Sequence, residues 1–264
     1  MHTPVTVSVG AREARWEIAA EVPVQIMVNG APFTVMLATP ADIEDLARGL
    51  LITEQVITRA DAIEHIEVAS WLGDVQVMVQ VAPDGLRRER LGARSVLGNS
   101  GCGVCGIDSL AQLHGRHLPT RAECVAVSDE AVRRAFADLP AHQPLNARTH
   151  SVHAAAWCDL TGRVLLVRED VGRHNALDKL VGALAASHRL HEPGFVVMSS
   201  RCSYELVYKA AATNAQLLAT ISAPTTMALH WSAALGVPLA SALRRSEQYE
   251  VVRFPASSHP FPTD

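Results

Sequence analysis

Two cysteines, Cys102 and Cys105, are the side chains best placed by type and spacing to do chemistry. They lie in Gly98-Asn99-Ser100-Gly101-Cys102-Gly103-Val104-Cys105-Gly106, where four glycines surround the thiols. Glycine costs the chain backbone entropy, so this density points to a loop that must move or approach something closely. Upstream stand Arg87, Arg88, Arg90 and Arg94 against the single Glu89, and downstream Ile107, Leu110, Ala111 and Leu113 have helical spacing. Positive charge and a helix N-terminus both favour thiolate, the nucleophilic form of cysteine. Three uses fit such a pair. A persulfide carrier needs an exposed thiolate able to visit two partners, which suits this loop best. A thioredoxin-like redox pair should follow a strand in a βαβ unit, and here a basic glycine-rich segment precedes it. A structural zinc site needs two further ligands, and Cys124 with His114 or His117 makes only an irregular set. The residues order the uses carrier, redox, zinc, and leave all three open. Cys124, Cys158 and Cys202 sit in or beside apolar segments and read as small buried side chains.

Other polar groups cluster at predicted strand ends. Ser199-Ser200-Arg201-Cys202-Ser203 and Ser222-Ala223-Pro224-Thr225-Thr226 could bind an anion through hydroxyls, backbone N–H groups and Arg201. Each also reads as an ordinary helix cap, which Ser and Thr favour. Glu169-Asp170-Val171-Gly172-Arg173-His174-Asn175 is denser, and is either a ligand loop or a structural ion-pair cluster. His153, at the start of an apolar strand, alone reads as a hydrogen-bonded structural histidine.

The elements that must position these groups follow from periodicity. Val22–Val28 and Phe33–Leu37 form a hairpin around Asn29-Gly30. Thr39-Pro40-Ala41-Asp42 starts a helix with Ile43, Leu46, Ala47, Leu50 and Leu51 as its buried stripe. Val75, Val77, Val79 and Val81 alternate as a half-buried strand over 74–82. Ser128 caps a helix running to about Leu139. Strands at 152–158 and 163–168 turn at Thr161-Gly162. Helix 174–187, strand 194–198, helix 203–213, strand 216–221, helix 225–235 and strand 237–243 then alternate, which implies a partly parallel sheet covered by helices. The tail from Phe254 reads as loose. Fold class is α/β (α+β overall), with an N-terminal α+β domain over 1–140 that includes the loop at 98–106. A three-layer α/β domain over 141–264 follows, the connector 141–146 marking the boundary.

With 264 residues, 48% hydrophobic and 19% charged, the chain can bury a sizeable core. A net charge of −4 gives no sign of a general nucleic-acid binder, and no nucleic-acid partner is expected. No apolar stretch is long enough to span a bilayer, so no membrane association is expected. The start Met1-His2-Thr3-Pro4 lacks a signal-peptide pattern, and five cysteines, an odd number, fit a reduced cytoplasmic protein.

Four ordered motifs carry a resemblance: Gly101–Gly106, His153–Trp157, Glu169–His174 with Ala176-Leu177-Asp178-Lys179, and Ser199-Ser200-Arg201 with Ser203-Tyr204-Glu205. Together, from about Glu21 to about Val252, the chain resembles the formate dehydrogenase accessory sulfurtransferase family, FdhD. The resemblance implies a cytoplasmic, homodimeric sulfurtransferase. It accepts sulfur from a cysteine desulfurase as a persulfide and passes it to the molybdenum (or tungsten) bis-guanine-dinucleotide cofactor before that enters formate dehydrogenase. Cys102 is then the carrier and Cys105 its partner, and the C-terminal half resembles the cytidine-deaminase fold. The implied cofactor-binding set is Ala242, Leu243, Arg244, Arg245, Ser246 and Glu247, with His153, Asp170, Arg173, His174, Ser200, Arg201 and Ser222. The chain departs from the family pattern at Ser241, where Gly is frequent, at Arg244-Arg245 and Glu247, and at Thr149-His150-Ser151-Val152. No permanently bound metal is expected. One rival is a non-catalytic cofactor chaperone with structural zinc at Cys102 and Cys105. A deaminase-like hydrolase lacks its motif, since Ala154-Ala155 follows His153 and the CxxC lies upstream.

Overall fold

A computed structural model describes residues 2–10, 12–91, 125–246 and 248–255. β1 (His2–Val9) and β2 (Arg12–Ala19) form an antiparallel two-stranded ribbon. A four-stranded sheet follows, built from β3 (Val22–Val28), β4 (Ala31–Ala38), β5 (Ile63–Trp71) and β6 (Asp74–Val81) in the order β4-β3-β6-β5. Asn29 and Gly30, with φ of 48° and 81°, close the β3–β4 hairpin in the left-handed region that this dipeptide tolerates. Val24, Ile26 and Val28 alternate inward with Val75, Val77, Val79 and Val81. They meet α1 (Ile43–Thr53), which buries Ile43, Leu46, Ala47, Leu50 and Leu51 in one core.

The second half contains α2 (Asp129–Asp138), the short α3 (Asn146–Thr149), β7 (His153–Cys158), β8 (Val164–Asp170) and α4 (Arg173–Ala186). Beyond them come β9 (Gly194–Met198), α5 (Tyr204–Ala210), β10 (Ala215–Thr220), α6 (Thr226–Leu235), β11 (Leu239–Arg245) and β12 (Gln248–Phe254). These strands form one sheet in the order β12-β11-β10-β9-β7-β8. β9, β10 and β11 are parallel, while β7 and β12 run antiparallel to their neighbours. Alternate residues serve opposite faces. Ala155, Trp157, Val196 and Met198 pack with α4, α5 and α6. Ala154, Ala156, Phe195, Val197, Leu217, Ala219, Ala240 and Ala242 pack with Val127, Ala131, Val132, Ala135, Phe136 and Leu139.

Ser128 caps α2 as expected, its Oγ accepting from Ala131 N–H at 3.1 Å. Yet α2, although it precedes the 140/141 division in sequence, packs into the core of the six-stranded sheet. Thr39 does not cap α1. The helix begins at Ile43 after Asp42 in the left-handed region, with no side-chain cap. Thr39 instead reaches across to the second half. Its N–H donates to Asp170 Oδ2 at 3.0 Å, its Oγ1 accepts from Val171 N–H, and its carbonyl accepts from Lys179 Nζ at 2.9 Å. β1, β2, β5 and β12 had no counterpart in the periodicity reading.

The two halves join where α1 crosses α4. A Cβ on Gly49 would lie 1.7 Å from the Asp178 carbonyl oxygen, and one on Gly182 1.9 Å from that of Asp45. The helices therefore meet backbone to backbone, which only glycine allows. Beside the crossing, buried Lys209 Nζ donates to both Asp178 oxygens at 2.9 Å, to Glu54 at 3.1 Å and to Thr53 Oγ1 at 3.0 Å. Burial opposes the Lys209 charge, but Asp178 and Glu54 outweigh it and raise the pKa above the ordinary lysine value. Among the described residues no helix is long and apolar enough to cross a membrane.

Candidate functional site

Strand direction gathers the motif residues on one edge of the six-stranded sheet. β9, β10 and β11 end there, so Ser200-Arg201, Ser222 and Arg244-Arg245 leave it in turn. β7 runs the other way and begins there with His153, and β8 ends there with Asp170, its register partner. In space the order is Arg244 (β11), Ser222 (β10), Ser200 (β9), His153 (β7) and Asp170 (β8). At ~4.8 Å per strand, the row is roughly 19 Å long, the length of an extended dinucleotide rather than of one phosphate. Ligands of open α/β sheets lie outside the strands' carboxyl ends.

One end of the row is a dense cluster. His174 Nε2 lies 2.8 Å from Glu205 Oε2 and 3.4 Å from Ser203 Oγ. Burial lowers the His153 pKa below the ordinary histidine value, and the charges of Arg173 and His174 lower it further, so His153 is neutral at pH 7. It can donate or accept a hydrogen bond there but does not offer a cation.

Asp170 is already engaged within the frame. It is fully buried, and its oxygens accept from Thr39 N–H and Lys179 Nζ (2.6 Å) on one side and from Gly172 N–H and Asn175 Nδ2 on the other. Four donors leave its lone pairs committed, so its expected cofactor contact is corrected to a framework role. Glu169 is similarly engaged, accepting from Leu145 and Asn146 N–H at 2.9 and 2.8 Å, while burial raises its pKa. The dense motif thus divides: its acids hold the frame, and Arg173 and His174 open α4 beside the edge.

In the middle of the row, Ser200 is buried and donates to the Arg201 carbonyl at 3.1 Å, while the Arg201 side chain is exposed. The Ser222 carbonyl accepts from Thr220 Oγ1 and Ser241 Oγ, both at 2.7 Å, which ties the β10–α6 turn to β11. Ser241 therefore has work of its own. Cys202 is buried, bridges to Pro224 and has its thiol pushed up to about 12. Burial raises the Cys158 thiol as well. Neither is thiolate at neutral pH.

At the other end β11 outruns β10. Their pairing stops at Thr220–Ser241, whereas β11 pairs with β12 as far as Arg245–Gln248. The β11–β12 ribbon thus overhangs the edge by Ala242–Arg245, roughly 13 Å at ~3.3 Å per residue. Ala242 is buried and Leu243 half-buried, Arg244 and Arg245 are exposed, and Arg245 pairs with Glu250 at 3.2 Å. Ser246 has φ 53° in the turn. Glu247, Cys102 and Cys105 lie outside the described residues. Among those described, no group of three or more His, Cys, Asp or Glu could hold a metal ion. Sequence reasoning missed Glu205 as the partner of His174, although it stands in the Ser203-Tyr204-Glu205 motif, and gave no sign of Thr39 or Lys179 as supports of Asp170.

The chain matches the FdhD/NarQ family over residues 19–254. A protein from Chromobacterium violaceum named sulfur carrier protein FdhD is 45% identical over 240 residues, covering 90% of this chain and 89% of its own. One of the same name from Cupriavidus necator is 43% identical over 228 residues, covering 86% and 79%. A crystal structure from Desulfotalea psychrophila, provisionally named a formate dehydrogenase accessory protein, shares the fold with TM-score 0.71 at 20% identity and covers 97% of each chain. With a matched region that spans nearly the whole chain and close relatives of similar length, this protein belongs to the FdhD/NarQ family.

Proposed function

We propose that this chain is a sulfur carrier that takes sulfur as a persulfide on Cys102 and delivers it to a molybdenum (bis-guanine-dinucleotide) cofactor, its substrate, destined for formate dehydrogenase. The names of the relatives support the carrier role. The observation that carries the substrate reading is the row of edge residues from Arg244 to Arg173, whose length and cationic groups suit an extended phosphate-bearing ligand. Guanidinium forks suit phosphates. In the first step, Cys102 thiolate attacks the outer sulfur of the persulfide on a cysteine desulfurase. The new bond joins Cys102 Sγ to that sulfur, the donor's S–S bond breaks, and the donor leaves as thiolate with no net redox change. Cys105 then shields the loaded sulfur by hydrogen bonding or attacks Cys102 Sγ, forming a disulfide and releasing hydrosulfide. The function is that of a cytoplasmic sulfurtransferase acting as a homodimer.

Intact mass after incubation with a cysteine desulfurase and free cysteine tests the reading. A reductant-labile gain of one sulfur, lost in Cys102→Ala and kept in Cys105→Ala, is the expected result. An unmodified protein holding one zinc through both thiols overturns it in favour of a cofactor-binding chaperone.

A further inference from the structure

On the opposite edge of the six-stranded sheet, before β9 and β10 begin, a half-open cleft of about 800 Å³ lies between the two halves of the molecule. It is bounded by α1 and the segment after it on one side, and by the C-terminal end of α4 on the other. Ile52, Ile57 and Leu190 supply apolar wall; Arg48, Arg59 and Arg87, with His188 and His191, supply polar wall. None of these residues takes part in the strand-end row described above. The size lies within the range of small-molecule sites, and an apolar lining with a few polar groups is their usual composition.

The three arginines differ in one decisive respect. Arg59 is committed, with Asp61 at 3.1 Å and Asp84 at 3.1 Å. Arg48 is not. Its Nε is sealed from water and has no hydrogen-bond partner. The nearest acid on its helix, Asp45, is taken by Arg168, whose Nη2 and Nε lie 2.8 and 2.9 Å away. Arg87 likewise has no side-chain partner among the described residues. Asp61 is the one carboxylate of the wall, and it is already neutralised by Arg59.

Two helix C-termini, those of α1 and α4, also face this region and bring partial negative charge. Their end carbonyls are largely occupied. Glu54, Gln55 and Val56 N–H groups cover those of Leu50, Ile52 and Leu51, and Ser187, His188 and Arg189 N–H groups cover those of Ala183, Ala185 and Leu184. The carbonyls therefore do not use up the guanidinium donors. Two guanidiniums that line an apolar cleft with no carboxylate partner among the described residues make its wall suited to an anion.

From this arrangement we infer that the cleft binds a small organic anion, a carboxylate or phosphate ester on an apolar body. The charged end meets Arg48 and Arg87, and the body lies on Ile52, Ile57 and Leu190. Its lining residues are separate from the edge that carries the motifs.

Titration calorimetry of the full-length protein with phenyl phosphate, 3-phenylpropionate, inorganic phosphate and phenol tests this. Phenyl phosphate or phenylpropionate binds one per chain, at affinities on the order of millimolar or tighter. Which of the two binds more tightly tells a phosphate site from a carboxylate site. Phenol and inorganic phosphate, each carrying half of the required chemistry, bind more weakly than the better probe. Arg48→Gln lowers the affinity about tenfold, the scale of one lost charge-assisted hydrogen bond. Ala186→Phe, on the exposed end of α4, fills the cleft without changing charge and abolishes binding. Both variants keep the wild-type circular dichroism and melting temperature. No saturable binding of either organic anion overturns the inference. So does binding that survives in both variants, or binding lost instead in Arg244→Ala, which would place the anion on the other edge.

Discussion

The two edges of the six-stranded sheet use charge in opposite ways. At the carboxyl-end edge the acids Glu169 and Asp170 are engaged by N–H donors and Lys179, and exposed arginines stand on a framework whose acids already have partners. At the starting edge a guanidinium remains without an acceptor beside an apolar wall. A motif-rich loop can therefore be mostly scaffold, while residues outside every motif keep unspent binding capacity. α4 links the two edges, since Arg173 and His174 begin it and Ala185 and Ala186 end it.

The frame shared by both edges is where the largest effect lies. Gly49→Ala and Gly182→Ala each force a methyl into a backbone carbonyl, and each should cost about 3 kcal/mol or more, read as a lower midpoint in guanidinium denaturation. Survival of the wild-type midpoint would mean that the α1–α4 crossing is looser than described. Next comes the difference between frame and ligand. Asp170→Ala strands Lys179, which has no exposed surface, and should cost about 3–5 kcal/mol of stability. Were Asp170 a ligand, the variant would instead keep its stability and lose affinity.

Arg244→Ala should show the reverse pattern. Stability stays within about 0.5 kcal/mol. Affinity for a guanine nucleotide such as GDP, measured by calorimetry, should fall by roughly tenfold or more. Sulfur loading should be unchanged, and its loss would assign Arg244 to the wrong step. The smallest effect is on pH dependence. The folded pKa of His153 lies below its unfolded value, so the unfolded chain binds the extra proton first. Stability is then full above about pH 6.5 and declines as pH falls from there towards the folded pKa. The His153 ring signals in NMR should titrate below the ordinary histidine midpoint, and a phosphate-bearing ligand should move that midpoint upwards. An unshifted midpoint in the free protein would place His153 in open solvent.

Most of the architecture was legible because local patterns and the fold agree. The Asn29-Gly30 turn, the valine alternation of β6 and the helix–strand rhythm after residue 174 each specify an element from within. Thr39 shows where such reading stops. Hydroxyl, proline and acid make a good helix start, but the threonine bonds to Asp170, Val171 and Lys179, over 130 residues away, and α1 begins later without it. A buried long-range acceptor outcompetes a local cap, and nothing within seven residues of Thr39 announces it. Assigning α2 to the second sheet needed the same kind of information, because an amphipathic stripe declares that a face is buried and not against what. The motif residues fall together on one edge, yet residue type alone could not divide Asp170, which is spent on the frame, from His174 and Arg173 beside it. Glu205 was visible as part of a motif, and only the 2.8 Å approach to His174 gives it a role. The unpaired Arg48 had no signal at all in the sequence, since being without a partner is a property of three-dimensional surroundings.

The overhanging β11–β12 ribbon has a mechanical consequence. It is a cantilever: held at Ser241 by the sheet and the Ser222 carbonyl, and paired beyond that with one neighbouring strand among the described residues. Successive residues of such a ribbon point to opposite sides, so Arg244 and Arg245 cannot grip the same face of a ligand. Arg245 is braced by Glu250 across the ribbon, which leaves Arg244 as the tip's single gripping point. A bend at the root would carry that point further than any residue nearer Ser241. On the proposed reading, one end of an extended ligand meets the sheet-anchored part of the edge and the other meets this ribbon tip.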